Sequence, residues 1–333
     1  MRNVVKKSKK IYQKNRAPFS YLQRKKNNKL YKNINNTKKL KKMNCNPLVE
    51  DKKVVAESCY TPDVLNQIKE YYNKFNESVK IISNDPYEIW LQLNKRLTHC
   101  KKEDCWLNEI KDINLKNKFD KYIFAPDYPK EWENNPNEWL SNFDILNVLK
   151  QYEDKYSEFE FIGPSAINFD EKVKEYNCNC VENKLCHFSL DSFLKKNKSK
   201  IGIIFNLDEH DEDGSHWVSL FIDIKEKIIF YFDSNGDQIP GEIQILKDRI
   251  IKQGNDIKPP ITLNYIDNHR KTHQQGNTEC GMYSLFFIIT MLTSSTEFNK
   301  KMTMEDKLKL FKKTRIPDKY VEKYRKKYFN SPQ

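Results

Sequence analysis

The chain has no uncharged apolar run near the roughly 18 residues needed to cross a bilayer, which removes a transmembrane reading. Its basic N-terminus is not followed by an apolar segment, so a secretory leader is not expected either. Acidic residues are missing from residues 1–48, which carry sixteen Lys and Arg, while the remainder holds 43 basic against 46 acidic residues. The net charge of +13 therefore resides wholly in this stretch. Such a block, rich in Asn, cannot bury enough apolar surface to fold alone and reads as a disordered basic tail. Tyr12, Phe19, Tyr21 and Tyr31 are interleaved with its cations, a mixture that suits DNA through phosphate contacts and base stacking. A solubilising or targeting arm reads equally well from the same composition. Internal repeats are absent, and 333 residues are ample to bury a core.

Paired C-x2-C spacings are also lacking among the eight cysteines Cys45, Cys59, Cys100, Cys105, Cys178, Cys180, Cys186 and Cys280. With no leader, the setting is read as intracellular and reducing, so a disulfide framework is not expected. His99-Cys100 with Cys105, and Cys178-x-Cys180 with Cys186-His187, hold enough ligands for tetrahedral zinc, but their spacings miss those of common zinc modules. The expectation is half-buried thiols, no metal and no organic cofactor.

Residues 49–125 read as a helical accessory region. In "TPDVLNQIKEYYNKF", Thr61 serves as N-cap, Pro62 opens the helix, and Leu65, Ile68, Tyr72 and Phe75 form one stripe. "DPYEIWLQLNKRL" repeats the device, with Asp85 as cap and Ile89, Leu93 and Leu97 at helical spacing. From residue 126 the texture changes. Ser141 can cap a helix faced by Ile145, Val148, Leu149 and Tyr152, and the runs "IGIIFNL", "HWVSLFIDI", "IIFYFD" and "ITLNYI" read as strands. "GEIQILKDRIIKQ" reads as a helix ending near Gly254. The fold class is α+β.

The remaining apolar run, "CGMYSLFFIITML", is too long for a typical strand and apolar all round, which predicts a buried helix with Cys280 in its first turn. There the positive end of the helix dipole favours a thiolate, the nucleophilic form. "GSHWVSLFIDIKEKIIFYFDS" supplies a base and an acid. If Lys225-Glu226 form a two-residue hairpin loop, Asp233 pairs with Val218 and shares a face with His216, where its carboxylate can orient the imidazole. A three-residue loop would separate them. Gln274, six residues before Cys280, can bend back so that its amide and the backbone N–H of Cys280 form an oxyanion hole, with Gln275 and His273 as rival candidates for that position. The assembled reading is acyl transfer through Cys280, with His216 as base, Asp233 as its orienter and Gln274 as oxyanion donor.

At these residues the chain resembles the papain-like cysteine proteases of the SUMO-protease and adenovirus-protease superfamily, in which His-Trp is followed by an acid, a Gln and a Cys-Gly pair opening a helix. His216-Trp217, Asp233, Gln274 and Cys280-Gly281 match each element, while Asn277 and Glu279 stand where cellular members usually have Gly and Asp. "NEWLSNFDILNVLKQY" is similar to the superfamily's WLND helix, with Trp139 on its Trp and Asn142 in place of its Asp. Over about residues 85–290, segments such as "PNEWLSNFDILNVLKQYE" and "GIIFNLDEHDEDGSHWVSLFID" resemble the thiol proteases of giant and other large nucleocytoplasmic DNA viruses. The resemblance implies a papain-like core with a central mixed sheet flanked by helices; the core is expected over residues 126–300, followed by a C-terminal helical extension over 301–333. It further implies that Trp139 and Trp217 wall a narrow substrate tunnel, and that virion precursor proteins are cleaved at Gly-containing sites during maturation, in the virion and in the viral factory of the host cytoplasm. Removal of ubiquitin-like modifiers is the alternative activity, and a non-catalytic nucleic-acid-binding virion protein the alternative of another class.

Overall fold

The computed structural model describes residues 39–55, 57–174 and 179–331. These divide into two compact units, one made of 39–41 and Pro62–Lys111, the other of Lys42–Thr61 and 112–331. In the smaller unit, α1 (Pro62–Phe75) buries Leu65, Ile68 and Tyr72 on one stripe as their spacing predicts, but Phe75 at its end is 58% exposed. Helix α2 (Pro86–Arg96) begins with Asp85 accepting from the Glu88 N–H at 3.0 Å, buries Ile89 and Leu93, and packs on α1.

In the larger unit the end of α3 (Ile113–Ile123) runs into backbone pairing with residues 44–46. Cys45 bridges Phe124, the Asn46 N–H donates to Ile123 O at 2.8 Å, and the Ala125 N–H donates to Asn44 O at 3.0 Å. Two sequence-based boundaries move as a result. Residues 49–61 and 112–125, expected in the accessory region, belong to the larger unit. Residues 42–48, expected in the tail, are pinned in place, with the Asn44 side chain donating to Lys326 O and Phe329 O at 2.7 Å each. Long-range backbone pairing leaves no trace in local charge or periodicity, which is why composition misplaced both. The rest of the expected tail, residues 1–38, lies outside the described residues.

Helix α4 (Asn142–Lys155) opens on a capping box in which Ser141 and Asp144 exchange side-chain bonds with each other's backbone N–H. Strand β1 (Phe159–Ala166) follows, then the small antiparallel pair β2 (Lys172–Val173) and β3 (Asn179–Cys180), the short helices α5 (Asn183–Cys186) and α6 (Leu190–Lys195), and β4 (Lys200–Asn206). Strands β5 (Trp217–Asp223) and β6 (Ile228–Phe232), helix α7 (Gly241–Asp256) and strand β7 (Asn264–Asp267) lead to α8 (Cys280–Thr293), α9 (Met304–Leu308) and α10 (Asp318–Tyr328). The main sheet runs β1-β4-β5-β6-β7, parallel in its outer pairs and antiparallel in its inner ones. Strand β1 was not foreseen, because Gly163-Pro164 interrupts its apolar run. The ladder shifts register between Ile162 and Ser165, and at a sheet edge proline's missing N–H is tolerated.

Helices cover both faces of the sheet. Residues of α4, α8 and α10 share one core cluster with Phe159, Phe221 and Phe230, while α6 and α7 share the other with Ile203, Leu220 and Ile229. Every residue of α8 from Cys280 to Leu292 is buried, as its unbroken apolar run requires. Its last carbonyls accept from cations, Met291 O from Lys307 Nζ at 2.8 Å and Leu292 O from Lys200 Nζ at 3.3 Å, at the negative end of the helix dipole. Phe311, Ile316, Val321, Tyr324 and Tyr328 complete the α8 cluster, so the expected C-terminal extension is part of the core rather than an addition to it.

The cysteines correct the sequence reading. Cys45–Cys59, Cys100–Cys105 and Cys180–Cys186 are disulfides with Cα separations of 5.1, 5.5 and 6.3 Å, and Cys280 is the free thiol among the described residues. The expectation of free thiols rested on the assumed compartment, which no residue specifies. His99 with Cys100 and Cys105, and His187 with Cys180 and Cys186, do converge in space, but each pair of sulfurs is bonded together rather than held as thiolates. Cys178 lies outside the described residues.

Candidate active site

The hairpin fixes two of the residues. The β5–β6 ladder closes at Asp223 opposite Ile228 and pairs Ser219 with Phe232, so its register continues to Val218 opposite Asp233, the alignment that a two-residue loop implies. The turn itself spans four residues. Asp223 Oδ1 accepts from the N–H groups of Lys225 and Glu226 at 3.1 and 3.0 Å, and Lys227 takes φ 55°. His216 and Asp233 thus stand one residue beyond the two strand ends, and His216 Nε2 meets Asp233 Oδ1 at 2.6 Å.

Asp233 is 1% exposed and its carboxylate is fully engaged. Oδ1 also accepts from the Asn235 N–H at 2.9 Å and Oδ2 from the Asp237 N–H at 3.1 Å. Its backbone is clamped by Asn268, whose Oδ1 accepts from the Asp233 N–H and whose Nδ2 donates to Asp233 O. Sequence reasoning missed Asn268. A buried Asn just past a strand is its one signal, and nothing in spacing links it to Asp233.

The His216 imidazole interacts with Cys280 as well as with Asp233. Burial opposes charge on the imidazole, but hydrogen bonds to Asp233 and Cys280 and attraction to both push its pKa up from 6.5 to about 10. Since Nε2 is held by Asp233, Nδ1 is the nitrogen that serves the thiol. Cys280 begins α8, where its backbone N–H has no intrahelical acceptor. Gly281 lets this helix end approach closely: a Cβ there would lie 3.1 Å from Leu140 Cβ and 3.3 Å from Trp217 Cδ1.

The structure separates Gln274 from its rivals. Gln274 is 6% exposed, its Oε1 accepts from Ser234 Oγ at 2.8 Å, and its Nε2 donates to Gly276 O at 2.9 Å. A carbonyl can only accept, so the Gly276 bond sets which end of the amide is nitrogen and leaves one N–H free. Ser234 escaped sequence analysis, although it directly follows Asp233. Gln275 has an exposed side chain. His273 is wholly buried, with Nε2 donating to Phe311 O at 2.9 Å and Nδ1 accepting from the Ile316 N–H at 3.1 Å. Burial pushes its pKa down to about 4, so it is a neutral tie between loop and core.

Trp139 and Trp217 line one cleft of about 490 Å³ with Leu140, Ser165, Asn206 and Gly214. Trp217 is buried, and its Nε1 donates to Leu140 O at 3.1 Å, while Trp139 is 37% exposed. All six residues singled out from the sequence lie in the larger unit: His216 meets Asp233, Gln274 bonds to Ser234 beside Asp233, Cys280 opens α8, and Trp139 and Trp217 line the cleft.

Residues 155–331, just over half of the chain, match the family described as the Ulp1 protease family, C-terminal catalytic domain. The chain is 26% identical over 273 residues to a protein of Acanthamoeba polyphaga mimivirus named as a thiol protease, covering 75% of this chain and 84% of that one. It is 27% identical over 196 residues to a SUMO-1 cysteine protease of African swine fever virus, covering 57% of this chain and 67% of the relative. The crystal structure of an African swine fever virus protease matches with a TM-score of 0.60 at 20% identity, over 88% of this chain and 98% of that one, a likeness of fold.

Proposed function

The chain belongs to the Ulp1 protease family and is a cysteine-type peptidase acting on protein substrates, and from that premise we propose that Cys280 is its nucleophile, worked by His216, Asp233 and Gln274. The observation that carries the proposal is the 2.6 Å hydrogen bond between His216 Nε2 and Asp233 Oδ1 at the strand ends, with Cys280 close enough to the same imidazole to help raise its pKa. Cys280 Sγ gives its proton to His216 Nδ1 and attacks the scissile carbonyl. The oxyanion accepts the spare Nε2 N–H of Gln274 and the backbone N–H of Cys280. When the C–N bond breaks, the imidazolium protonates the leaving amine, and a water deprotonated by His216 then hydrolyses the thioester. Asp233 holds the ring in one tautomer throughout.

Trp139 and Trp217 bound the substrate cleft and limit the two positions before the cut to Gly-Gly or Gly-Ala. The substrates are structural precursors of a virion, cleaved during maturation in the virion or the viral factory, a reading supported by likeness to viral proteases. A second reading, removal of a ubiquitin-like modifier, is favoured by the name of the swine fever relative. Purified chain is tested against a fluorogenic Gly-Gly peptide, the same dipeptide at the end of a folded modifier, and candidate precursors, with new N-termini mapped. Precursor cleavage after Gly-Gly, absent with Cys280→Ala, supports the first reading. Rapid cleavage of the modifier with precursors untouched supports the second.

A further inference from the structure

The loop from Gln274 to Cys280 carries both halves of the proposed oxyanion hole, yet neither half is held by the sheet alone. At its first half, the N–H groups of Gln275 and Gly276 both point at the Asp318 carboxylate, with Gln275 N 3.2 and 3.1 Å from Oδ1 and Oδ2 and Gly276 N 3.0 Å from Oδ2. Two successive amides on one carboxylate form an anion grip with the anion built in. Asp318 stands in the first turn of α10, where an acid would ordinarily cap its own helix, but no side-chain cap bond forms there. It also accepts from Tyr283 Oη at 2.8 Å, one turn into α8 from Cys280.

At the second half, Arg325 of the same helix is 5% exposed and forks onto Glu279, with Nε to Oε2 at 3.1 Å and Nη2 to Oε1 at 2.8 Å. Its Nη2 also reaches Thr278 O at 3.4 Å, and its Nη1 donates to Glu138 O at 2.9 Å, beside Trp139.

We propose that α10 is the brace of the catalytic loop, with Asp318 and Arg325 as positioning residues. Asp318 fixes Gly276, whose carbonyl aims the Gln274 amide, and Arg325 fixes Glu279 and, through Glu138, the Trp139 wall of the cleft. The inference rests on the proposed function, because it assigns these residues to an oxyanion hole.

The test separates steps that need the oxyanion hole from one that does not. Full-length wild type, Asp318→Asn, Asp318→Ala and Arg325→Lys are each measured for kcat and KM on the Gly-Gly peptide, for the rate and pH profile of Cys280 alkylation by iodoacetamide, and for Tm. Alkylation needs the thiol and His216 but no oxyanion donor. Asp318→Ala is expected to lose on the order of 10²-fold in kcat with KM and alkylation unchanged, and Asp318→Asn, which keeps an acceptor, to recover part of that loss. Arg325→Lys, whose single ammonium cannot reach all four acceptors, is expected to raise KM as well. Unchanged kcat in Asp318→Ala, or alkylation falling in step with kcat, overturns the inference, and so does a misfolded Arg325→Lys accompanied by a fully active Asp318→Ala. A wild type that alkylates but hydrolyses no Gly-Gly substrate removes the proposed function, and the inference falls with it.

Discussion

At the scale of single residues, the site is closely bonded around its acid and its amide. Asp233 has no unpaired oxygen, and Gln274 has one N–H to spare, the one that the proposed mechanism gives to the oxyanion. His216 ties the site to pH. Its folded pKa of about 10 lies above the 6.5 of an unfolded imidazole, so its charge stabilises the fold fully below about pH 6.5, and that stabilisation fades as pH rises through 10. In the proposed mechanism the same imidazolium supplies the leaving-group proton. The alkaline limb of kcat/KM is therefore expected near pH 10 in the wild type and at clearly lower pH in Asp233→Asn, where burial is opposed by one partner fewer; coincident limbs would refute this. Gln274→Ala is expected to lose about 10²-fold in kcat, and Ser234→Ala, which frees one end of the same amide, a smaller part of it, both read from steady-state rates at constant Tm. The positions of Cys280, His216, Asp233 and Gln274 stood out in the sequence because the proposed chemistry restricts residue type: a thiol at a helix start, an imidazole and a carboxylate across a hairpin, an amide before the thiol. Ser234, Asn268 and Asp318 did not, since many polar residues could hold an amide or a backbone, and only the fold selects which.

At the scale of elements, strong periodicity proved legible and pairing did not. α8 announced itself by thirteen residues of unbroken apolarity, and the β5–β6 hairpin by runs of β-branched and aromatic residues about a charged turn. β1 was hidden by Gly163-Pro164, and the cysteine pairs by their dependence on what the fold brings together. Cys45–Cys59 joins two segments 14 residues apart, the first of which carries the pairing to Phe124. Closing a loop of that length is worth about 3 kcal/mol in the chain-entropy account. Cys45→Ser is expected to lower stability by about that amount in chemical denaturation while leaving kcat alone; loss of activity without loss of stability would contradict the assignment of this bridge to scaffolding. His273 adds a pH term of the opposite sense to that of His216. Its folded pKa near 4 lies below the unfolded value, so the stability it contributes is present above about pH 6.5 and is lost as pH falls toward 4.

At the scale of the whole molecule, charge and chemistry are segregated along the chain. Thirteen of the sixteen tail cations fall within residues 1–38, while the site residues all lie beyond 138. A chain beginning at residue 39 keeps Asn44 and Cys45, which the fold uses, and is expected to retain full peptidase activity. Its affinity for DNA should collapse, whereas the full chain's should fall steeply with salt. Equal binding by both would place the DNA contacts elsewhere. In the proposed mechanism peptidase activity rests on one thiol, Cys280. Steady-state hydrolysis of a fluorogenic Gly-Gly peptide by the wild type, Cys280→Ala and His216→Ala should give turnover in the first and none above background in the other two, because nucleophile and base act as a unit. Turnover by Cys280→Ala at a rate comparable to the wild type would contradict it.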